Sequence, residues 1–249
     1  MSQTHYKPNL ENQNVDDIVN DILGNLPQVE YVEVELPSRA AEMYGLTEPV
    51  LHIRAMTFED EKIMLAKKKG GMNALLARCI EEDIDPKALL MQDKLALLFN
   101  LRAISVGDTY DLEITCSECE TKSQTTVDVL QSFPVKYADP PIQQKVTIML
   151  PSIQKEAVVR RATSAEFEEK GQNIFDELWQ YVIEIAGHTS AKVRAQVLSR
   201  LPRKDIHLII NEMTVPNIGI DQKFIFKCPK CDTEQLREMS LGPDFFTMK

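Results

Sequence analysis

The chain has 249 residues, 43% of them hydrophobic, and a net charge of −10. That suffices for one large domain or two of ordinary size around a real core. The acidic balance argues against nucleic acid, which needs a basic surface to offset phosphate charge; around the cysteine motifs Lys122, Lys223, Lys227 and Lys230 are matched by Glu113, Glu118, Glu120, Asp128, Asp232 and Glu234.

No apolar run approaches the ~20 residues needed to span a bilayer. The opening MSQTHYKPNLENQN has no signal-peptide apolar region, so a soluble intracellular protein is expected, with that opening stretch disordered. Residues 1–30 read as an N-terminal extension in which Val15 to Leu26 form a short amphipathic helix on Val15, Ile18, Val19 and Ile22. Two readings stand for that helix: an arm packed on its own core, or a partner-docking element that uses Ile18 and Ile22.

From Tyr31 the elements follow in order. Tyr31 to Leu36 is extended and stops at Pro37-Ser38, and a second strand runs from Val50 to Arg54. Thr57 is placed to cap a helix, because its hydroxyl can accept from the free N–H groups of the first turn. Glu59, Asp60 and Glu61 load that turn with the charge the helix dipole favours. The helix ends at Gly70-Gly71, another runs from about Met72 to Glu82, and a third from Lys87 to Ser105 after the break at Asp85-Pro86. In the third, Leu97, Leu98, Leu101 and Ile104 recur at the spacing of a buried helical face. Tyr110, Leu112 and Ile114 then alternate with polar residues as in a half-buried strand.

A second series begins with a strand from Lys145 to Leu150, a Pro151-Ser152 stop and a strand from Glu156 to Arg161. Ser164 reads as the cap of a long helix reaching about Ala186, with Ile174, Phe175, Leu178, Val182 and Ile185 as its stripe. Shorter helices are expected near Ala191–Ser199 and Arg203–Met213.

The two series share landmarks. Leu36-Pro37-Ser38 returns as Leu150-Pro151-Ser152, Arg54-Ala55 as Arg161-Ala162, and the helical segment holding Asn100 as the one holding Asn211. Cys116 follows Arg54 at nearly the interval at which Cys228 follows Arg161. The first series carries seven extra residues between the Leu-Pro-Ser and the Arg-Ala. These matches imply an internal duplication of a unit of roughly 100 residues, longer than the ~20–50 of a solenoid repeat. The expected fold is α+β, with two related lobes at residues 31–132 and 133–249. Each has paired strands, helices and a strand–CxxC–strand knuckle, and a shared zinc-ribbon-like site joins them.

The knuckles read YDLEIT-CSEC-ETKSQTTVDV and QKFIFK-CPKC-DTEQLREMSL. A strand that ends in Cys-x-x-Cys and returns as a strand offers two thiolates from a tight turn, half of a tetrahedral zinc site. Cys116, Cys119, Cys228 and Cys231 therefore form one site between them, holding one structural Zn²⁺ per chain. The interval between the two pairs is far beyond the ~15–20 residues of an ordinary ribbon. A redox dithiol normally opens a helix, whereas both motifs here lie between strands. Cys79, inside a helix, reads as a buried apolar residue.

No catalytic constellation is visible. The sequence has no Gly-rich phosphate loop or nucleophile elbow, and His5, His52, His188 and His207 show no ligand spacing. A zinc ion with four thiolates has no open position at which to activate water. A non-enzymatic protein without a small-molecule substrate is expected. For its contacts the candidates, besides Ile18 and Ile22, are the adjacent Phe245 and Phe246, which either mark a partner surface or fold back onto the parent core.

The strand ending in Leu-Pro-Ser, the segment RAMTFEDEKIMLAKK and the segment QDKLALLFNLRAISVGDTYDLEITCSEC together resemble the baseplate hub assembly proteins of T-even-type contractile-tailed bacteriophages. The resemblance is best from Val34 to Val129, and the second half follows in order but more loosely. It implies an assembly factor that binds phage baseplate hub proteins, made in the host bacterial cytoplasm during infection and absent from the mature virion; a permanent hub subunit is the other reading it allows. The N-terminal extension and the seven extra residues depart from the family pattern.

Overall fold

The computed structural model describes residues 15–24, 29–66, 70–239 and 241–246; the disorder expected for residues 1–14 lies outside them. Helix α1 (Val15–Leu23) belongs to a unit separate from the compact unit that begins at Tyr31. It leaves Val19, Ile22 and Leu23 exposed. No helix among the described residues is long and apolar enough to cross a membrane.

In the second unit, β1 (Tyr31–Glu35) pairs antiparallel with β2 (Val50–Arg54), separated by the single turn of α2 (Ala41–Tyr44). The two-residue period of β2 turns Leu51 and Ile53 inward, and both are fully buried. Helices α3 (Phe58–Ala66), α4 (Gly71–Cys79) and α5 (Met91–Val106) follow. Helix α5 is buried around much of its girth, with Leu97, Leu98, Phe99 and Leu101 alongside Asp93, Lys94 and Arg102. Buried polar groups are costly unless paired; each of these three has partners, with Arg102 Nε alone left without one among the described residues. Asp93 accepts from Ser38 N (2.9 Å), Ser38 Oγ (2.6 Å) and Tyr44 Oη (2.6 Å). Lys94 donates to Asn73 Oδ1 at 2.6 Å and pairs with Glu168. Arg102 donates to the carbonyls of Gly107 and Thr109, tying the helix end to the ribbon after it.

That ribbon is β3 (Thr109–Thr115) with β4 (Lys122–Asp128), followed by the short β5 (Val135–Lys136). The chain then builds a three-stranded antiparallel sheet from β6 (Lys145–Leu150), β7 (Lys155–Arg160) and, after helix α6 (Ser164–Lys170), β8 (Val182–Ile185). Helices α7 (Ala191–Leu198) and α8 (Arg203–Thr214) follow. Next come β9 (Gly219–Ile220), paired with β5, and the ribbon β10 (Lys223–Lys227) with β11 (Glu234–Glu238).

Two expectations need correction, and one open alternative is decided. The long helix from Ser164 ends at Lys170 and is followed by two 3₁₀ turns, Gly171–Phe175 and Leu178–Gln180, and then by β8. Gly171, with φ +52°, closes the helix, and β-branched Val182, Ile183 and Ile185 suit a strand. The cap is Thr163 rather than Ser164; its hydroxyl accepts from Glu166 N, and Thr163 N donates in return to the Glu166 carboxylate, completing a capping box. Phe245 and Phe246 are not surface residues. They are 0% and 1% exposed, because the last described turn folds Phe245 against Phe99 and Tyr110.

The hydrophobic residues form two main cores. One gathers β1, β2, α4 and α5 with Met239, Phe245 and Phe246 from the far end of the chain; the other gathers the β6–β7–β8 sheet with Ile209 and Met213 of α8. The halves repeat several contacts. Ser152 N donates to Asp205 Oδ1 of α8 (3.1 Å), as Ser38 N does to Asp93 of α5. Arg160 pairs with Glu166 as Arg54 does with Asp60, at the same offset along the chain. Asp93 precedes Cys116 by the same interval as Asp205 precedes Cys228.

Candidate metal centre

The two ribbons meet at their turns. Ile114 and Phe226 are buried between them beside Cys116 and Cys228, a small apolar cluster of their own. Each knuckle closes in the same way. Cys116 N donates to Thr121 O (3.0 Å) and Glu120 N to Cys116 O (3.1 Å); in the other ribbon Cys228 N donates to Thr233 O and Asp232 N to Cys228 O, both at 3.0 Å. Glu120 and Asp232 take left-handed backbone at φ +56° and +57°, the conformation that lets a tight turn reverse and aim two cysteines the same way.

The four sulfurs predicted to share one site are brought together. All lie within 4.8 Å of one another, with Cys116 Sγ 3.6 Å from Cys231 Sγ and Cys119 Sγ 3.7 Å from Cys228 Sγ. A tetrahedron with metal–sulfur bonds of ~2.3 Å has edges of ~3.8 Å, so these close pairs fit a single tetrahedral ion. Among the described residues this is the one group of metal-ligating side chains close enough to hold a cation. None of the described histidines belongs to it, and His5 lies outside the described residues. Cys79, buried in α4, stands apart with its thiol pushed up to about 11 by burial.

Polar groups surround the sulfurs. Gln235 Nε2 donates to Cys116 Sγ at 3.1 Å. Thr121 Oγ1 lies 3.4 Å from Cys119 Sγ and Thr233 Oγ1 lies 3.3 Å from Cys231 Sγ, the same offset in each knuckle. Arg237 reaches across to Thr115 O at 2.8 Å and fastens one ribbon to the other. The N–H of Cys119, with that of Glu118, pulls the Cys116 thiol down to about 6 against the effect of burial. Thr121, through its hydroxyl and its N–H, lowers Cys119 as well. The N–H groups of Cys231 and Lys230 act likewise on Cys228, but burial and the adjacent sulfurs of Cys231 and Cys116 outweigh them and leave it at about 11. Donors that favour thiolate are thus built in, while sulfurs this close oppose one another's ionisation; a central cation would relieve that conflict.

Sequence reasoning missed the paired polar groups on α5. Asp93 and Lys94, adjacent charges inside an apolar helical stretch, were the available signal. Burial raises the Asp93 carboxyl even though Ser38 and Tyr44 hydrogen-bond it. Of the proposed contact residues, Ile22 is 70% exposed and Ile18 is partly exposed, whereas Phe245 and Phe246 belong to the core.

Four thiols drawn from two distant ribbons and brought close enough to hold one metal ion define a protein whose cysteine knuckles converge on a candidate metal centre. The particular family comes from comparison: residues 28–247 match the family model described as T4 bacteriophage base plate protein, and the chain belongs to that family. The match takes in both knuckles and both cores. No curated protein matches the chain, and no solved structure does.

Proposed function

We propose that this chain is a non-enzymatic assembly factor that promotes formation of the central hub of a phage tail baseplate through protein–protein contacts. Its membership of the baseplate family over 28–247 carries this reading. The chemistry of the cysteine centre agrees with it: Cys116, Cys119, Cys228 and Cys231 would hold one Zn²⁺ with no position left for a substrate, so the ion's contribution is to fix the fold. On this reading the factor is made in the host cytoplasm, binds hub proteins, and leaves before the particle is complete. The exposed Ile22 and its neighbour Ile18 on α1 are the candidate contacts.

We also read the two halves as copies of one ancestral unit. The repeated Ser-to-Asp bond, the Arg–carboxylate pair and the matched knuckles support this, with α2 lying in the stretch that lengthens the first copy. The connection from Ser38 to Arg54 is twice as long as the one from Ser152 to Arg160.

Quantitative mass spectrometry of purified mature particles, compared with infected-cell lysate, tests the role. A trace in the particle and abundance in the lysate are expected. A stoichiometric amount in the particle would make the chain a permanent hub subunit and overturn the assembly-factor reading.

A further inference from the structure

The corresponding outward faces of the two ribbons differ in one respect. Measured from the first cysteine of each knuckle, Glu113 and Ile225 hold the same place, as do Gln124 and Leu236. In each ribbon the two residues sit directly opposite one another across the strands. On β3–β4 the pair is Glu113 and Gln124, both exposed, as water requires. On β10–β11 it is Ile225 and Leu236, 70% and 67% exposed. A scaffold that tolerates a polar pair at this position carries an apolar pair in its second version, on a face the other described residues leave open.

The charges around that pair say what fits it. Lys223 lies opposite Glu238 on one side of it and Lys227 opposite Glu234 on the other, all four exposed. One strand therefore presents Lys-Ile-Lys and the other Glu-Leu-Glu. Lys227 also lies 3.6 Å from Asp232 in the turn, which leaves the sign of its strand unchanged. If a second copy is laid face to face about a two-fold axis parallel to the strands, β10 of one copy covers β11 of the other. Each Lys then meets a Glu, and Ile225 meets Leu236. An axis across the strands would set Lys223 on Lys227. Pairing β11 edge to edge with its own copy would set Glu against Glu, which is unfavourable. The pattern is self-complementary in the one arrangement alone.

We propose that the outer face of the β10–β11 ribbon is a self-association surface whose occupant is the same face of a second copy of this chain. The contact is isologous, as in a closed two-fold dimer. Six side chains fall well short of the roughly 800 Å² per partner of a standard stable interface, so the dimer is weak and forms where the protein is concentrated. It depends neither on which metal the cysteines hold nor on the assembly role proposed above.

Sedimentation of the full chain over a concentration series tests it, with the thermal melt and metal content of each variant as controls for folding. Ile225→Glu with Leu236→Gln, which copies the outer face of the first ribbon, is expected to weaken association at least about tenfold, since it puts like charge and unpaired polar groups at the centre of the contact. Charge reversal gives a sharper readout. K223E with K227E makes both strands negative, and E234K with E238K makes both positive, so each variant alone is expected to stay monomeric. Mixed together they are expected to form a heterodimer, because each strand again meets its opposite. A monomer at every concentration the protein tolerates, association unchanged by the Ile225 and Leu236 substitutions, or reversed variants that fail to recombine would each overturn the proposal.

Discussion

Gln235 of the second ribbon donates from Nε2 to the Sγ of Cys116 on the first, at 3.1 Å. An amide from one half thus serves a cysteine sulfur of the other, beside the convergence of the four sulfurs. The two half-sites are coupled, and loss of either should empty the whole.

Purified protein prepared without chelators is expected to carry one zinc per chain by elemental analysis. Cys116→Ser and Cys228→Ser should each abolish binding and cost at least about 4 kcal/mol, the scale of the entropy released when a loop of ~100 residues is no longer closed. Cys79→Ser should keep the metal. Two metals per chain, or equal loss on Cys79→Ser, would be incompatible with the shared site.

Asp60 gives the acid limb of stability a specific source. Burial opposes its ionisation, yet bonds from Arg54, Thr57 N and Arg78 prevail and hold its carboxyl well below the usual range. A carboxyl with a depressed folded pKa contributes stability that is fully present above its unfolded value, about 4, and is lost as pH falls through the folded one. Asp60→Ala should cost roughly 3 kcal/mol at neutral pH, the low end for breaking a buried pair because Arg78 stays partly in water. The cost should shrink as pH falls below about 4. Urea melts at several pH values would show this, and a pH-independent difference would rule out the assigned origin.

Lys94 is nearly fully buried and its charge rests on Glu168 and Asn73. Glu168→Ala should destabilise by roughly 3 kcal/mol by leaving an uncompensated ammonium inside. Adding Lys94→Met should recover most of that loss, because the apolar replacement needs no partner. A double variant no better than the single one would mean that Glu168 matters for another reason.

Of the two readings its sequence allowed, the tail follows the one that packs on the core. Adjacent aromatics near Lys249 suit a partner surface, but Phe245 lies 5.4 Å from the rings of both Phe99 and Tyr110, and Tyr110 Oη donates to Asp244 Oδ2 at 2.8 Å. Phe245→Ala should therefore cost about 3–5 kcal/mol, the usual figure for emptying a buried Phe site, as read by thermal or urea melts. A loss under about 1 kcal/mol would return the residue to the surface role.

What could be read from the sequence was what local pattern carries. The knuckles, the β1–β2 and β6–β7 strands and the stripe of Leu97, Leu98 and Leu101 follow from spacing and turn residues. The cysteine site was legible because four thiols between strands have few other uses. The stretch from Gly171 to Ile185 was not, since Ile174, Leu178 and Val182 fit helical spacing equally well; pairing of Val159 with Val182 decides for a strand, and that partner lies well upstream, across α6 and both 3₁₀ turns. The burial of Phe245 and of Asp93 depends on residues more than fifty positions away, Phe99 in one case and Ser38 in the other, which no window on the chain contains. Which of the adjoining Arg160 and Arg161 reaches the capping Glu166 was equally invisible in the sequence; the bond from Arg160 identifies it.

The distance along the chain between the two cysteine pairs has a consequence for cleavage. Every peptide bond from Cys119 to Cys228 lies inside a ring that a metal on the four sulfurs closes. A protease that cuts once within that ring yields two fragments, each still holding two of the four ligands, and a third piece of the molecule never comes free. Packing of Phe245 and Phe246 into the first core also holds the fragments, so under mild denaturation such nicked protein should migrate as one species until a chelator is added and as two afterwards.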